Sequence, residues 1–145
     1  MDNYKGKDRH RVSKVYTFNI KTPQTTAMVD VTGQVQEQVR ASGVNSGACI
    51  VFIPHTTAAV TINENADPDV VRDILMELNK VIPFSDGYHH MEGNSAAHIK
   101  SSMMGFSETI IIENGRLLLG TWQGIYLTEF DGPRVRKVYV KIIGD

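Results

Sequence analysis

Histidine placement is the first chemical signal in this 145-residue chain. His55, His89, His90 and His98 fall at or near the ends of the elements the sequence suggests. Neutral imidazole is a good ligand for zinc and its neighbours, and three protein ligands plus one open position make a catalytic zinc arrangement. Carboxylates stand close by in sequence: Glu64, Asp67, Asp73 and Glu92. No pair has a strong metal-motif spacing. There is no His-Glu-x-x-His and no Cys-x-x-Cys, and His89-x-x-Glu92 is a weak signal by itself. The competing reading has His55 capping a strand end through hydrogen bonds, with His89 and His90 solvated on a loop.

Anion binding is the second chemistry on offer. Arg134 and Arg136 would share a strand face with Val138, Val140 and Ile142 if the pleat is regular. A guanidinium on the apolar side of a strand needs a carboxylate or phosphate partner, because an unpaired buried charge is costly. Glu129 and Asp131, across the turn, are the local alternatives to a phosphate. A helix start at Asn94 would also present free N–H groups, a common and therefore nonspecific feature. Trp122-Gln123 sits between Gly120 and Gly124, where another backbone or a ligand can approach closely. Trp122 reads first as core or interface, with one of the pair facing a pocket or partner. Cys49 has no cationic neighbour to activate it, and neither a Gly-x-Ser-x-Gly elbow nor a phosphate loop occurs.

These groups must be positioned by a mixture of strands and helices. Val12 to Ile20 reads as a strand. Thr32 is expected to cap a helix to Ser42, stopped by Gly43. Gly47 to Ile53 is a continuous apolar run, expected to be a central strand covered on both faces. Thr56 to Ile62 alternates. Asp67-Pro68 should open a second helix with Val70, Ile74, Leu75, Leu78 and Ile82 as its apolar stripe. Pro83 to Gly93 reads as a long loop. A third helix is expected from Asn94 or Ser95 to Met104, burying Ala96, Ile99 and Met103. Asn114-Gly115 marks a hairpin between Thr109–Ile112 and Arg116–Leu119, followed by strands Trp122–Phe130 and Arg134–Ile143. Runs of strands with three helices predict an α+β fold, a single compact domain over 1–145 with extended, mostly antiparallel β layers.

Composition narrows the classes. At 41% hydrophobic and 21% charged residues, the chain can bury a core without metal or disulfide staples. A net charge of −1 and a pI near 6.5 argue against a general nucleic-acid binder. Lys5, Lys7, Arg9, Arg11 and Lys14 make the N-terminus basic, and residues 1–11 are expected to form a flexible arm. No apolar run approaches the roughly 18–20 residues that span a bilayer. No apolar signal region follows Met1, and the single cysteine allows no internal disulfide, so a cytoplasmic location is expected.

Taken in order, Pro54-His-Thr-Thr-Ala58, Asn63-Glu-Asn65, Asp67-Pro68, Tyr88-His89-x-x-Glu92-Gly-Asn94, Ala97-His-Ile-Lys100, Gly115-Arg-Leu117, Leu119-Gly-Thr-Trp-Gln-Gly-Ile125 and Gly132-Pro-Arg134 resemble the YjbQ-like family, UPF0047, also called secondary thiamine-phosphate synthase. The resemblance covers about Thr22 to the C-terminus. It implies a homotrimer and a shared polar pocket holding His55, His89 and His98. The family pattern needs one histidine in the Tyr-His segment; His89 fits it and His90 is left without a role. Thiamine-phosphate synthase chemistry would join a pyrimidine pyrophosphate to a thiazole phosphate and release pyrophosphate. On that reading His55, His89 and His98 hold a divalent metal, zinc foremost, with magnesium or manganese as alternatives. Glu64 or Glu92 is a fourth ligand or a general acid/base, with Asp73 a further catalytic candidate. Asn94, Lys100, Trp122, Gln123 and Arg134 bind a small phosphorylated molecule. The alternatives are a metal-dependent hydrolase and a non-catalytic trimeric small-anion-binding protein. No nucleic-acid or membrane partner is expected.

Overall fold

A computed structural model describes residues 15–145; the expected basic arm and the start of the first strand at Val12 lie outside the described residues. The order is β1 (Val15–Lys21), β2 (Ala27–Asp30), α1 (Thr32–Ser42), β3 (Gly47–Phe52), β4 (Ala58–Glu64), α2 (Pro68–Val81), α3 (Ser95–Met104), β5 (Ser107–Glu113), β6 (Arg116–Leu117), β7 (Gln123–Glu129) and β8 (Val135–Gly144). Two antiparallel sheets form, with strand orders β1-β8-β3-β5-β6 and β2-β7-β4. The fold is α+β, and the described residues hold three helices.

Alternation of side chains explains how the layers pack. Cys49, Val51, Ile110, Ile112, Val138 and Val140 turn inward from the five-stranded sheet. They meet Ala58, Val60, Ile125 and Leu127 from the three-stranded sheet and Val31, Val35 and Val39 from α1. Ala59 points the other way, and its small side chain lets Ala97 of α3 and Phe130 close a second, smaller cluster. No helix among the described residues is long and apolar enough to cross a membrane.

Several boundaries agree with the sequence pattern. Asp67 caps α2 by accepting from the Asp69 amide at 2.9 Å, and Gly43 ends α1 with φ 71°. Asn114 and Gly115 both have positive φ at the β5–β6 hairpin, as a type I′ turn demands. Other details differ. Thr32 is the first helical residue rather than the cap; the Asp30 carboxylate accepts from both its amide and its hydroxyl. β3 is central, between β5 and β8, but only Cys49 and Val51 face the core, while Phe52 is exposed on the outer face. α3 is rotated from its expected stripe: Ala96, Ala97, Lys100 and Ser101 are buried, whereas Ile99 is 40% and Met103 60% exposed. The short β2 had no sequence signal, and Trp122 belongs to the turn before β7.

A buried ion pair joins the sheets. Glu129 ends β7 and Arg136 is the second residue of β8; both are shielded from solvent. Arg136 Nε donates to Glu129 Oε1 at 2.9 Å, and Nη2 to Oε2 at 2.5 Å. Thr22, just beyond β1, donates its hydroxyl to Oε1 at 2.7 Å, and the Phe130 amide donates to Oε2 at 3.1 Å. Arg136 Nη2 also reaches Thr57 Oγ1 at 2.8 Å. Removing one member strands the other charge, so Glu129→Ala is expected to cost about 3–5 kcal/mol in chemical denaturation. The double change Glu129→Leu with Arg136→Met should cost clearly less than either single truncation; a double variant as unstable as the sum of the singles would contradict this account.

Candidate functional site

Three turns converge beside this ion pair. The β3–β4 turn brings Pro54, His55, Thr56 and Thr57; the segment leading into α3, with that helix's first turn, brings His90, Glu92, Asn94 and His98; the β7–β8 turn and the start of β8 bring Asp131, Arg134 and Arg136. Together they line an open cavity of about 520 Å³. Arg136 and Thr57 tie its floor to the buried pair.

His55 is fixed by the sheet edge. Its Nε2 accepts from the Lys137 amide of β8 at 2.9 Å. An acceptor nitrogen in a neutral imidazole puts the proton on the other nitrogen, so Nδ1 is assigned as the donor. Burial above all, and then the Arg136 charge, hold its pKa below the usual value, against a smaller upward pull from Glu129. His55 is thus a neutral N–H donor at neutral pH, and the strand-capping alternative describes its backbone bond.

His98 lies in the first turn of α3. The His90 ring meets it edge-on with centroids 5.4 Å apart, and His90 Nε2 stands 3.8 Å from Glu92 Oε2. Asn94 Nδ2 donates to Asp131 Oδ2 at 3.0 Å, while Asn94 Oδ1 is buried with no hydrogen-bond partner. Arg134 donates from Nε to the Asp131 carbonyl at 2.7 Å and from Nη2 to its carboxylate at 3.1 Å. Both local carboxylate partners foreseen for the arginines are therefore used, Asp131 by Arg134 and Glu129 by Arg136. A guanidinium has five N–H donors, and Arg134 spends two of them on Asp131.

The remaining candidates lie elsewhere. His89 lines an adjoining cleft, which shares His90 and His98 with the first cavity. His90, given no role by the motif, is the histidine of the Tyr-His segment that lines the cavity with His55. Lys100 is fully buried; its ammonium donates to Asn79 Oδ1 at 2.6 Å and stands 4.4 Å from the Phe84 ring centroid. Burial lowers its pKa. Asp73 is exposed on α2. Glu64, Trp122 and Gln123 are at the far end of the three-stranded sheet. In the β4–β7 pairing Ala58 faces Glu129 and Glu64 faces Gln123, a separation of about 20 Å along the strands. Gln123 Oε1 accepts from the Gly120 amide at 2.8 Å, closing its own turn, and Trp122 is 62% exposed.

The expected metal ligands were tested against this geometry. Among the described residues no three His, Cys, Asp or Glu side chains are grouped to hold one ion. His55 and His98 line one cavity, but His89 lines the next, and His55 Nε2 is occupied by a backbone amide. The three-imidazole set does not assemble within this chain. Thr57 and Asp131 were given no role in the expected site, and Arg136 was named only with Arg134 as an anion-binding candidate. Their sequence signals were the His-Thr-Thr motif for Thr57 and the demand of the strand-face arginines for nearby carboxylates for Asp131.

Comparison with known proteins agrees across nearly the whole chain. The family model described as UPF0047 protein YjbQ-like matches residues 16–145. The UPF0047 protein YugU of Bacillus subtilis is 53% identical over 88% of this chain and 98% of its own. A UPF0047 protein of Methanocaldococcus jannaschii is 51% identical over 92% of this chain and 97% of its own. Among solved structures, an uncharacterised YjbQ/UPF0047 protein from Clostridium acetobutylicum superposes with a TM-score of 0.87 at 61% identity, covering 88% of this chain and 99% of that one. A protein of unknown function from Sulfolobus solfataricus gives 0.85 at 34% identity, over 92% and 100%. The chain belongs to the YjbQ-like UPF0047 family.

Proposed function

We propose that the cavity binds a small phosphorylated molecule and that the chain is a transferase of the thiamine-phosphate synthase kind, joining a pyrimidine pyrophosphate to a thiazole phosphate. The observation carrying this reading is the convergence of Arg134, Arg136, neutral His55 and the His90–His98 pair on one open cavity. In such a reaction the carbon–oxygen bond to pyrophosphate breaks with its electron pair on oxygen, and the thiazole nitrogen forms the new bond to carbon. No base is needed for that attack; what must be stabilised is the charge on the departing oxygen. Fixed N–H donors aimed at developing charge do this without reorganisation. Arg134, with donors left over after Asp131, and His55 through Nδ1–H fill that role. His98 serves as the proton donor to the leaving oxygen, with Glu92 holding His90 beside it.

A divalent ion enters this reading as a companion of the pyrophosphate. Magnesium or manganese is commonly held by substrate phosphates and one or two carboxylates rather than by an all-protein cage, and Glu92 is the exposed carboxylate at the cavity. We extend the proposal to a homotrimer. Ile111 and Ile143 flank Ala48 on the outer face of the five-stranded sheet and are both exposed, an apolar row suited to contact with another copy. Sedimentation velocity of the full chain tests it, and a monomer at micromolar concentration would refute it.

Three measurements test the site. Pyrophosphate release from the paired substrates is expected to fall about tenfold or more in His98→Ala and Arg134→Ala; parental rates in both variants would remove these residues from the reaction. Tight binding of pyrophosphate with no product from the parent would make the chain a binding protein. Metal measured by mass spectrometry on untagged protein without phosphate is expected to be far below stoichiometric, and a full complement lost in His98→Ala would restore a resident metal site.

The pH dependence of stability follows from His55. Its folded pKa lies below the unfolded value, so its contribution is complete above about pH 6.5. That contribution is lost as the pH falls through the folded pKa, because the unfolded chain takes up the proton first. In thermal melts from about pH 7.5 to about pH 5, the parent should lose more stability than His55→Gln, which keeps an acceptor for the Lys137 amide but does not titrate. Parallel profiles would show that His55 is not held neutral.

A further inference from the structure

The cavity has a neighbour that the reaction above does not use. A second cleft of about 430 Å³ is lined by Gly87, Tyr88, His89, His90, Ser95, His98 and Ile99. It shares His90 and His98 with the arginine-bearing cavity, so the two spaces adjoin at the edge-on imidazole pair. Their chemistry differs. The first holds two guanidiniums and two carboxylates; no Arg, Lys, Asp or Glu lines the second.

Its walls are built rather than incidental. Ser95, His98 and Ile99 stand three and four residues apart on α3 and therefore share a helix face. That face turns away from the core, because α3 packs through Ala96, Ala97, Lys100 and Ser101 instead. Ile99, an aliphatic side chain expected in the core, is thereby spent on the cleft. Opposite it, the Tyr88 hydroxyl donates to the Pro83 carbonyl at 2.7 Å, which fixes the phenol ring. A single exposed isoleucine needs no explanation. Here the isoleucine, a tethered tyrosine and the imidazole rings line one space that adjoins a charged one, and flat apolar groups are well matched by aromatic walls.

We propose that the site is bipartite: the Tyr88–Ile99 cleft takes a flat, largely apolar ring of the same ligand whose anionic group lies against Arg134, with the His90–His98 pair at the junction. The proposal rests on the anion-binding reading of the first cavity and adds Ile99 and Tyr88 as specificity-determining residues.

The experiment compares two probes, inorganic phosphate and phenyl phosphate, by titration calorimetry with the full-length protein and with Ile99→Trp. Ile99 is half-exposed, so the variant should fold, which matching circular dichroism and melting curves will verify; Ile99→Ala, which enlarges the cleft, supplies a second variant should tryptophan perturb the helix. Phenyl phosphate is expected to bind the parent about tenfold more tightly than inorganic phosphate. Ile99→Trp should abolish that preference and leave the inorganic phosphate affinity unchanged, and Ile99→Ala should reduce it. Equal affinities for the two probes in the parent overturn the bipartite site while leaving the anion reading intact, as does a preference unaltered in either Ile99 variant. Binding of neither probe overturns both.

Discussion

The Glu129–Arg136 pair is the constraint on which the other features depend. Burying two charges gains little in itself and is tolerated only when every polar atom is met. Here that requirement recruits Thr22 from just beyond β1, Thr57 from just before β4 and the Phe130 amide after β7. The carboxylate belongs to the three-stranded sheet and the guanidinium to the five-stranded one. Satisfying one buried pair thus fixes how the sheets meet at one end, and that end is where the turns carrying His55, Asn94 and Arg134 come together.

The pair also shapes the electrostatics of the cavity it underlies. Glu129 offsets the Arg136 charge, and Asp131 partly offsets that of Arg134. On the proposed reading, an anion placed there would meet a poised set of donors rather than an excess of free positive charge. Arg136 nevertheless stands close enough to His55 to help keep that imidazole neutral. The Lys137 amide then decides which nitrogen carries the proton. Burial first, and then the Arg136 charge, favour the neutral form of this histidine, and the backbone amide sets its tautomer.

The fold was largely legible because its signals are local. Asp67-Pro68 opens α2, Asn114-Gly115 turns the hairpin and Gly43 stops α1, each through backbone chemistry that no tertiary contact needs to reinforce. The orientation of α3 was not legible, because the small Ala97 packs against Ala59 and Phe130 where a larger Ile99 could not approach as closely, and periodicity alone cannot weigh size against hydrophobicity. The site was half legible. Residue types pointed to histidines and arginines, but spacing could not distinguish His89 from His90, which share one cleft while only His90 also lines the arginine-bearing cavity. Nor could it reveal that Glu64 and Gln123 sit at the opposite end of the β4–β7 ladder, since that depends on antiparallel register. Lys100 illustrates a third limit: a lysine in a motif reads as a phosphate ligand, whereas its ammonium is sealed against Asn79 and beneath Phe84.

The two walls of the arginine-bearing cavity are anchored to different degrees. One wall, with His55, Thr57 and Arg136, is held through both sheets by the buried pair and the Lys137 amide. The opposite wall, residues 83–94, is irregular and largely exposed. Its links include the Tyr88 hydroxyl to Pro83 and the Asn94 amide to Asp131. Substitutions on the first wall propagate into the packing of the sheets, whereas those on the second are absorbed locally. The fold thereby separates a heritable invariant, the handling of charge, from a tunable one, the shape admitted beside it. Descendants of such a chain could change what they accept without rebuilding what holds them together.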